Sequence, residues 1–153
     1  MTVRIPRTGA LGAILLLATT ALTAACSNAI PDISASDVPA KPVFWTDVLP
    51  LLDDHCNLCH SRPTNYGAPG GFRLDQYAKD TKHNLRGAQA MASQLEEEIK
   101  GDSMPPAAAW GDGVGKNGKK LIALWVKQGA AECNTADDCP DAGQTCTTGR
   151  LCQ

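Results

Sequence analysis

Cys56, Cys59 and His60 stand in the stretch "DHCNLCHS", residues 54–61, with two residues between the thiols and an imidazole directly behind them. Thiols at this spacing have three chemical uses. They can cycle through a disulfide, supply half of a zinc site, or add across the two vinyl groups of a porphyrin. The redox use expects the pair to open a helix after a strand, in a βαβ context. Here a helical pattern leads into the pair and loop composition follows it. The zinc use needs further ligands at a workable spacing. His55 and His83 are on offer, but the chain holds no second Cys-x-x-Cys and no His-x-x-x-His. The porphyrin use requires His60. One short turn can carry both sulfurs to the vinyl groups and aim the next imidazole at the iron, so Cys-x-x-Cys-His is a c-type haem attachment pattern. The plain alternative is a disulfide beside a surface histidine. The expectation is one covalent haem c, held by thioethers from Cys56 and Cys59, with His60 as proximal iron ligand.

The far face of the iron usually takes Met or His in electron carriers, and Met opposite His raises the potential. After His60 the candidates are His83, Met91 and Met104. Met91 falls inside a helical pattern, where core packing is the commoner role, and His83 lies in the charged stretch "KDTKHN", where histidines are usually solvated. Met104 sits in "DSMPP". The following proline biases its backbone to extended conformations, and two prolines in a row make a stiff strap for a thioether. Met104 is therefore the expected distal ligand. A loop methionine resting on apolar surface is the bland rival.

Three helices must position these residues. Phe44, Val48, Leu51 and Leu52 recur at i, i+4, i+7 and i+8 and deliver the chain to Cys56. Pro50 is tolerated there if Asp47 is the N-cap, because first-turn amides lack intrahelical partners. "SRPTNYGAPGG" reads as loop, and "FRLDQY" turns Phe72 and Leu74 inward. From Asn84, Leu85, Ala88, Ala92, Leu95 and Ile99 mark an amphipathic helix, with Glu96, Glu97 and Glu98 on its wet face and Gly101 as a left-handed stop. "SMPPAAAWGDGVGKNG" is loop by its prolines and glycines. "KKLIALWVKQGA" is a last helix, inward at Leu121, Leu124 and Trp125 and ending at Gly129. No stretch alternates as a strand. Aromatic residues make up only 5% of the chain, so loops this long need something to pack around. A porphyrin plate would serve.

The N-terminus predicts export. Arg4 and Arg7 precede the apolar run "GALGAILLLATTALTAA", which makes residues 1–25 a signal peptide. The most apolar part is too short for a membrane span, which needs about 20 apolar residues. "LTAAC" resembles the bacterial lipobox, although Thr23 stands where Leu is usual. The resemblance implies a diacylglyceryl thioether on Cys26, which would anchor the chain in a membrane, with ordinary signal-peptidase cleavage nearby as the alternative. Residues 27–41, "SNAIPDISASDVPAK", read as a flexible tether. Beyond the signal peptide 12 basic residues face 16 acidic ones, a net −4. That balance leaves no basic stripe for nucleic acid.

"CNLCHS", "GGFRLDQY", "MPP" and "LIALWVKQGA" resemble, in order and spacing, the planctomycete-type cytochrome c domains of the class I cytochrome c superfamily. The resemblance covers roughly residues 42–131. It implies an all-α cytochrome c fold of three to four helices with long loops around one haem. Cys56 and Cys59 would carry the haem, and His60 and Met104 would be its axial ligands. The first and last helices would cross beside the attachment site, bringing Trp125 and Leu121 to Phe44 and Val48. The loop after "MPP" departs from the family's usual charged stretch, and Trp110 within it is a candidate cover for the haem edge.

Cys133, Cys139, Cys146 and Cys152 form a separate set over residues 132–153. In an oxidising compartment they predict two disulfides, with three connectivities open to the sequence. The stretch "CNTADDCPDAGQTC" resembles small cysteine-rich modules of myxobacterial surface proteins. The reading leans to pairing first with third and second with fourth. A zinc knuckle is the rival, and it lacks close Cys-x-x-Cys pairs. The role expected of this module is to cap the chain end or to meet a partner.

No nucleophile–base pair, carboxylate dyad or phosphate-binding loop is legible, so substrate turnover is not expected. The expectation is a monohaem one-electron carrier, exported as a lipoprotein on the periplasmic side, with the outer membrane preferred over the inner. Its partners would be redox proteins of a respiratory or periplasmic chain. Two competitors are a haem enzyme or gas- or peroxide-binding domain with a displaceable distal ligand, and an interaction module in which haem is structural filler.

Overall fold

The structure, a computed structural model, describes residues 32–106 and 113–153. The signal peptide, Cys26 and Trp110 lie outside the described residues. What is described is mostly helical: α1 (Leu49–His55), α2 (Asn57–His60), α3 (Ala88–Lys100) and α4 (Lys116–Lys127). Strand pairing among these residues is limited to isolated bridges, Phe72 with Arg86, Asp80 with Leu85 and Cys146 with Cys152.

The first helical region begins as a π-helical turn, Phe44–Val48, which feeds α1. Pro50 occupies the first turn of α1, where its missing N–H leaves nothing unmade. Asp47 is not the cap that the sequence suggested. Its Oδ2 instead accepts the Val43 N–H at 2.8 Å, across the wide turn. Burial raises the pKa of the Asp47 carboxyl. The turn buries Phe44 and Val48 together.

α3 starts later than its apolar period implied. Leu85 is drawn into a two-way backbone pairing with Asp80, at 2.9 and 3.0 Å, and the helix begins only after Gly87. A Cβ on Gly87 would lie 2.1 Å from the Ala78 carbonyl oxygen and 2.4 Å from that of Tyr77. The close approach has a use. The N–H groups of Ala88 and Gln89 donate to Gln76 and Tyr77 carbonyls at 2.8 and 3.1 Å, satisfying two free amides of the helix start. At the other end Gly101 is not left-handed, with φ −80°, and Asp102 takes that conformation at φ 55°.

α4 begins at Lys116, three residues before the expected "KKLIALWVKQGA". Its cap comes from far away in sequence: Asp32 Oδ2 and Oδ1 accept the N–H groups of Asn117 and Gly118 at 3.0 and 3.2 Å. α4 buries Leu121, Ile122 and Trp125, while Leu124 is only half-buried. Phe44 sits among aromatic rings, 6.1 Å between centroids from Trp125 and 5.5 Å from Tyr77. Full burial of such a side chain is worth about 1.5–3 kcal/mol. After α4, Gly129 and Ala130 are both left-handed, at φ 84° and 52°. That tight turn supplies carbonyls to Tyr77 Oη, Trp125 Nε1 and the Phe44 N–H, at 2.9, 2.9 and 3.1 Å. The "W-V-K-Q-G-A" ending is thus the point where the first and last helical regions are tied.

Residues 32–41, expected to be part of a flexible tether, are packed against the domain. Ile33 and Val38 join the core, and the Gln128 and Asn134 side-chain amides donate to the carbonyls of Ala40 and Lys41 at 2.7 and 2.8 Å. The C-terminal segment carries two disulfides, Cys133–Cys146 and Cys139–Cys152. This is the first-with-third, second-with-fourth pairing. The segment is fastened to the helical part: Glu132 accepts both Trp45 Nε1 at 2.9 Å and the Cys152 N–H at 3.0 Å, and Arg150 donates to the Gln128 carbonyl at 3.1 Å.

Candidate functional site

α1 and α2 meet at Cys56, whose backbone (φ −126°, ψ −41°) leaves the helical region and kinks the chain. The His60 N–H still donates to the Cys56 carbonyl at 2.9 Å, so residues 56 and 60 stand one helical turn apart on a shared face. Both side chains line a cavity of about 250 Å³, with about 800 Å³ free of atoms when its solvent mouth is included. The enclosed figure lies just below the roughly 300–1,000 Å³ of typical small-molecule sites. Met104 lines the same cavity. Its position is set by the end of α3, since the N–H groups of Ser103 and Met104 both donate to the Glu98 carbonyl, at 3.1 and 3.3 Å. Cys59 is half-buried, is absent from the cavity wall, and is unpaired like Cys56.

The electrostatics of the site favour neutral ligands. Burial, with a smaller contribution from Cys59, pushes the Cys56 thiol up to about 12. A thiolate for zinc binding or disulfide exchange is disfavoured there, whereas a thioether carries no charge to desolvate. Burial also lowers the pKa of His60, keeping its imidazole in the form that can bind a metal. His60 Nδ1 is buried without a hydrogen-bond partner. The ring lies on Phe72, 5.0 Å between centroids and 22° between planes. An orphaned imidazole, a thioether and a buried thiol around one apolar-walled space fit a covalently held haem.

The cavity wall also contains Gln94 and Arg86, which the sequence did not single out. Met91, Gln94, Leu95 and Glu98 form one stripe of α3 facing it, and Arg86 stands at its edge. Their spacing of 3, 1 and 3 is a helical stripe that shares Leu95 with the Ala88–Ala92–Leu95–Ile99 face of the apolar period, and it turns Glu98, expected on the wet face, toward the space. Met91 is 3% exposed, so two thioethers face the space rather than one.

His83 is engaged elsewhere. Its Nδ1 lies 2.8 Å from Asp80 Oδ2, and its N–H donates to Asp80 Oδ1 at 3.1 Å. Arg73 Nη1 also reaches Asp80, at 2.9 Å, while Arg73 pairs with Asp75 as well. In the C-terminal segment the sulfurs of Cys133, Cys139 and Cys152 lie within 4.8 Å of one another because the two disulfides are neighbours. Bonded in this way they offer no thiolate to a metal. No helix of the described residues is long and apolar enough to cross a membrane.

The chain matches no protein-family model, and neither the curated proteins nor the solved structures gave a match.

Proposed function

We propose that this protein is a monohaem c-type cytochrome that carries single electrons on the periplasmic side of a membrane, with the all-α cytochrome c fold its motifs resemble. The observation that carries the reading is that Cys56, His60 and Met104, 48 positions apart at the extremes of the sequence motif, line one cavity. Cys56 and Cys59 would hold the porphyrin through thioethers formed when their S–H groups add across its vinyl groups. When bound, the haem iron supplies one-electron exchange between its ferric and ferrous states. The chain's own residues do the rest. His60 offers a neutral imidazole braced by Phe72, and the Glu98 carbonyl holds the strap bearing Met104. Leu74, Leu95 and Met91 keep water from the cavity wall. A diacylglyceryl group on Cys26 would keep the domain at a membrane, outer before inner, where it would meet redox partners of a respiratory or periplasmic chain.

Protein matured with haem tests this by reversible redox titration. One electron per chain and a methionine-to-iron charge-transfer band in the ferric state are expected. Met104→Ala should abolish the band and lower the potential, because a methionine ligand opposite histidine raises it. Met91→Leu should leave both unchanged. If Met91→Leu removes the band instead, the distal assignment moves to α3. If wild-type protein lacks the band, the reading with an open, ligand-binding iron takes its place.

A further inference from the structure

We infer that the N-terminal segment is a strap rather than a swinging tether, and that it fixes one pole of the domain against the membrane. The inference rests on the lipid-anchored reading above. Three observations carry it. Asp32 is seated on the start of α4, capping Asn117 and Gly118, and the Asn117 amide donates to the Ile33 carbonyl at 2.9 Å. The seat is close: a Cβ on Gly115 would lie 2.2 Å from Asp32 Cγ. Eight and nine residues on, Ala40 and Lys41 are bonded to Gln128 and Asn134, beyond the other end of α4. The segment therefore runs alongside the helix, over ~18 Å.

Only residues 27–31 then separate Cys26 from the seated Asp32. Six Cα steps reach at most ~20 Å, against ~50 Å if the chain were free as far as Lys41. A domain of this size is roughly 35 Å across. The shorter length cannot let the domain turn over, and the longer one would. The α4 N-terminal pole, with Lys116 and Lys120 exposed upon it, faces the bilayer. The Asp102–Lys119 pair places the residues just before Met104 near this pole too. The opposite end of α4, with Lys127, the Gly129–Ala130 turn and the disulfide-bonded segment, faces away. Electron partners must therefore come to a membrane-seated domain that does not reach out to them.

The test uses full-length, lipidated protein on vesicles of phosphatidylcholine with phosphatidylglycerol, treated with a water-soluble amine-acylating reagent and read by peptide mass. Relative to soluble Cys26→Ser protein, Lys116 and Lys120 should react several-fold more slowly and Lys127 at the same rate. A Gly/Ser insertion of about twenty residues after Ser27, with a relaxed span of ~25 Å, leaves Asp32 seated but lengthens the link, and should erase the contrast. Lipidated protein whose three lysines react alike overturns the fixed orientation and leaves the anchor standing. A chain whose mass shows no acyl group on Cys26 overturns the anchor itself and the orientation with it. Neither result bears on the haem, which is read separately from colour.

Discussion

Asp80 shows how far a single side chain can organise a loop without forming part of the cavity. It is buried, accepts from the ring of His83, from Arg73 and from the His83 N–H, and these bonds, the imidazole's foremost, hold its carboxyl well below the usual 3.8, at about 2. The folded pKa is depressed, so Asp80 contributes stability that is fully present above about pH 4 and is lost as pH falls toward 2. Asp80→Asn should therefore lower stability at neutral pH and flatten the loss between those values, as read from denaturant unfolding at a series of pH. An equally steep acid limb in the variant would contradict the assignment. The sequence showed "KDTKHN" as charged surface. It could not show that the carboxylate folds back onto Arg73, seven residues earlier, because that contact depends on the bridge between Asp80 and Leu85. The proposed haem-site residues were more legible. Cys56, Cys59 and His60 announce themselves by spacing, and Met104 by its prolines. Met91, weighed as a ligand, reads as core, since one methionine inside an apolar period looks like any other core residue, yet it faces the cavity.

At the scale of elements, apolar periodicity located the helices, while long-range contacts set their ends. α4 starts three residues early because Asp32 caps it, and no local pattern signals a cap from 85 positions away. α3 starts late because a backbone pairing claims Leu85, and Gly87 is the one residue type that fits against the Tyr77 and Ala78 carbonyls. Gly87→Ala should consequently destabilise the fold by about 1–3 kcal/mol, the range for forced overpacking, as measured by chemical denaturation. Since α3 carries Met91, Gln94, Leu95 and Glu98, the same change should also loosen the cavity wall. Unchanged stability would mean that the Tyr77–Ala78 carbonyls move aside freely. Gly101 is the opposite lesson: a glycine at a helix end invites a left-handed reading, yet Asp102 takes that role.

For the whole molecule, two ties close the chain on itself. Residues 32–41 lie along α4, and the disulfide-bonded segment is fastened through Glu132 and Arg150 to Trp45 and Gln128. Each disulfide spans 13 residues, a loop length at which closure stabilises by about 3 kcal/mol in the chain-entropy account. A domain with two phenylalanines and two tyrosines is helped by such ties, and on the proposed reading by a porphyrin filling the space that Cys56, His60 and Met104 share. The most direct test of that reading is the intact mass and visible spectrum of protein made in cells equipped for cytochrome c maturation. The account predicts red protein carrying one haem per chain, which survives denaturation and is lost in the double variant Cys56→Ala, Cys59→Ala. Colourless protein at the mass of the bare chain, with Cys56 and Cys59 open to alkylation or joined to each other, would contradict it.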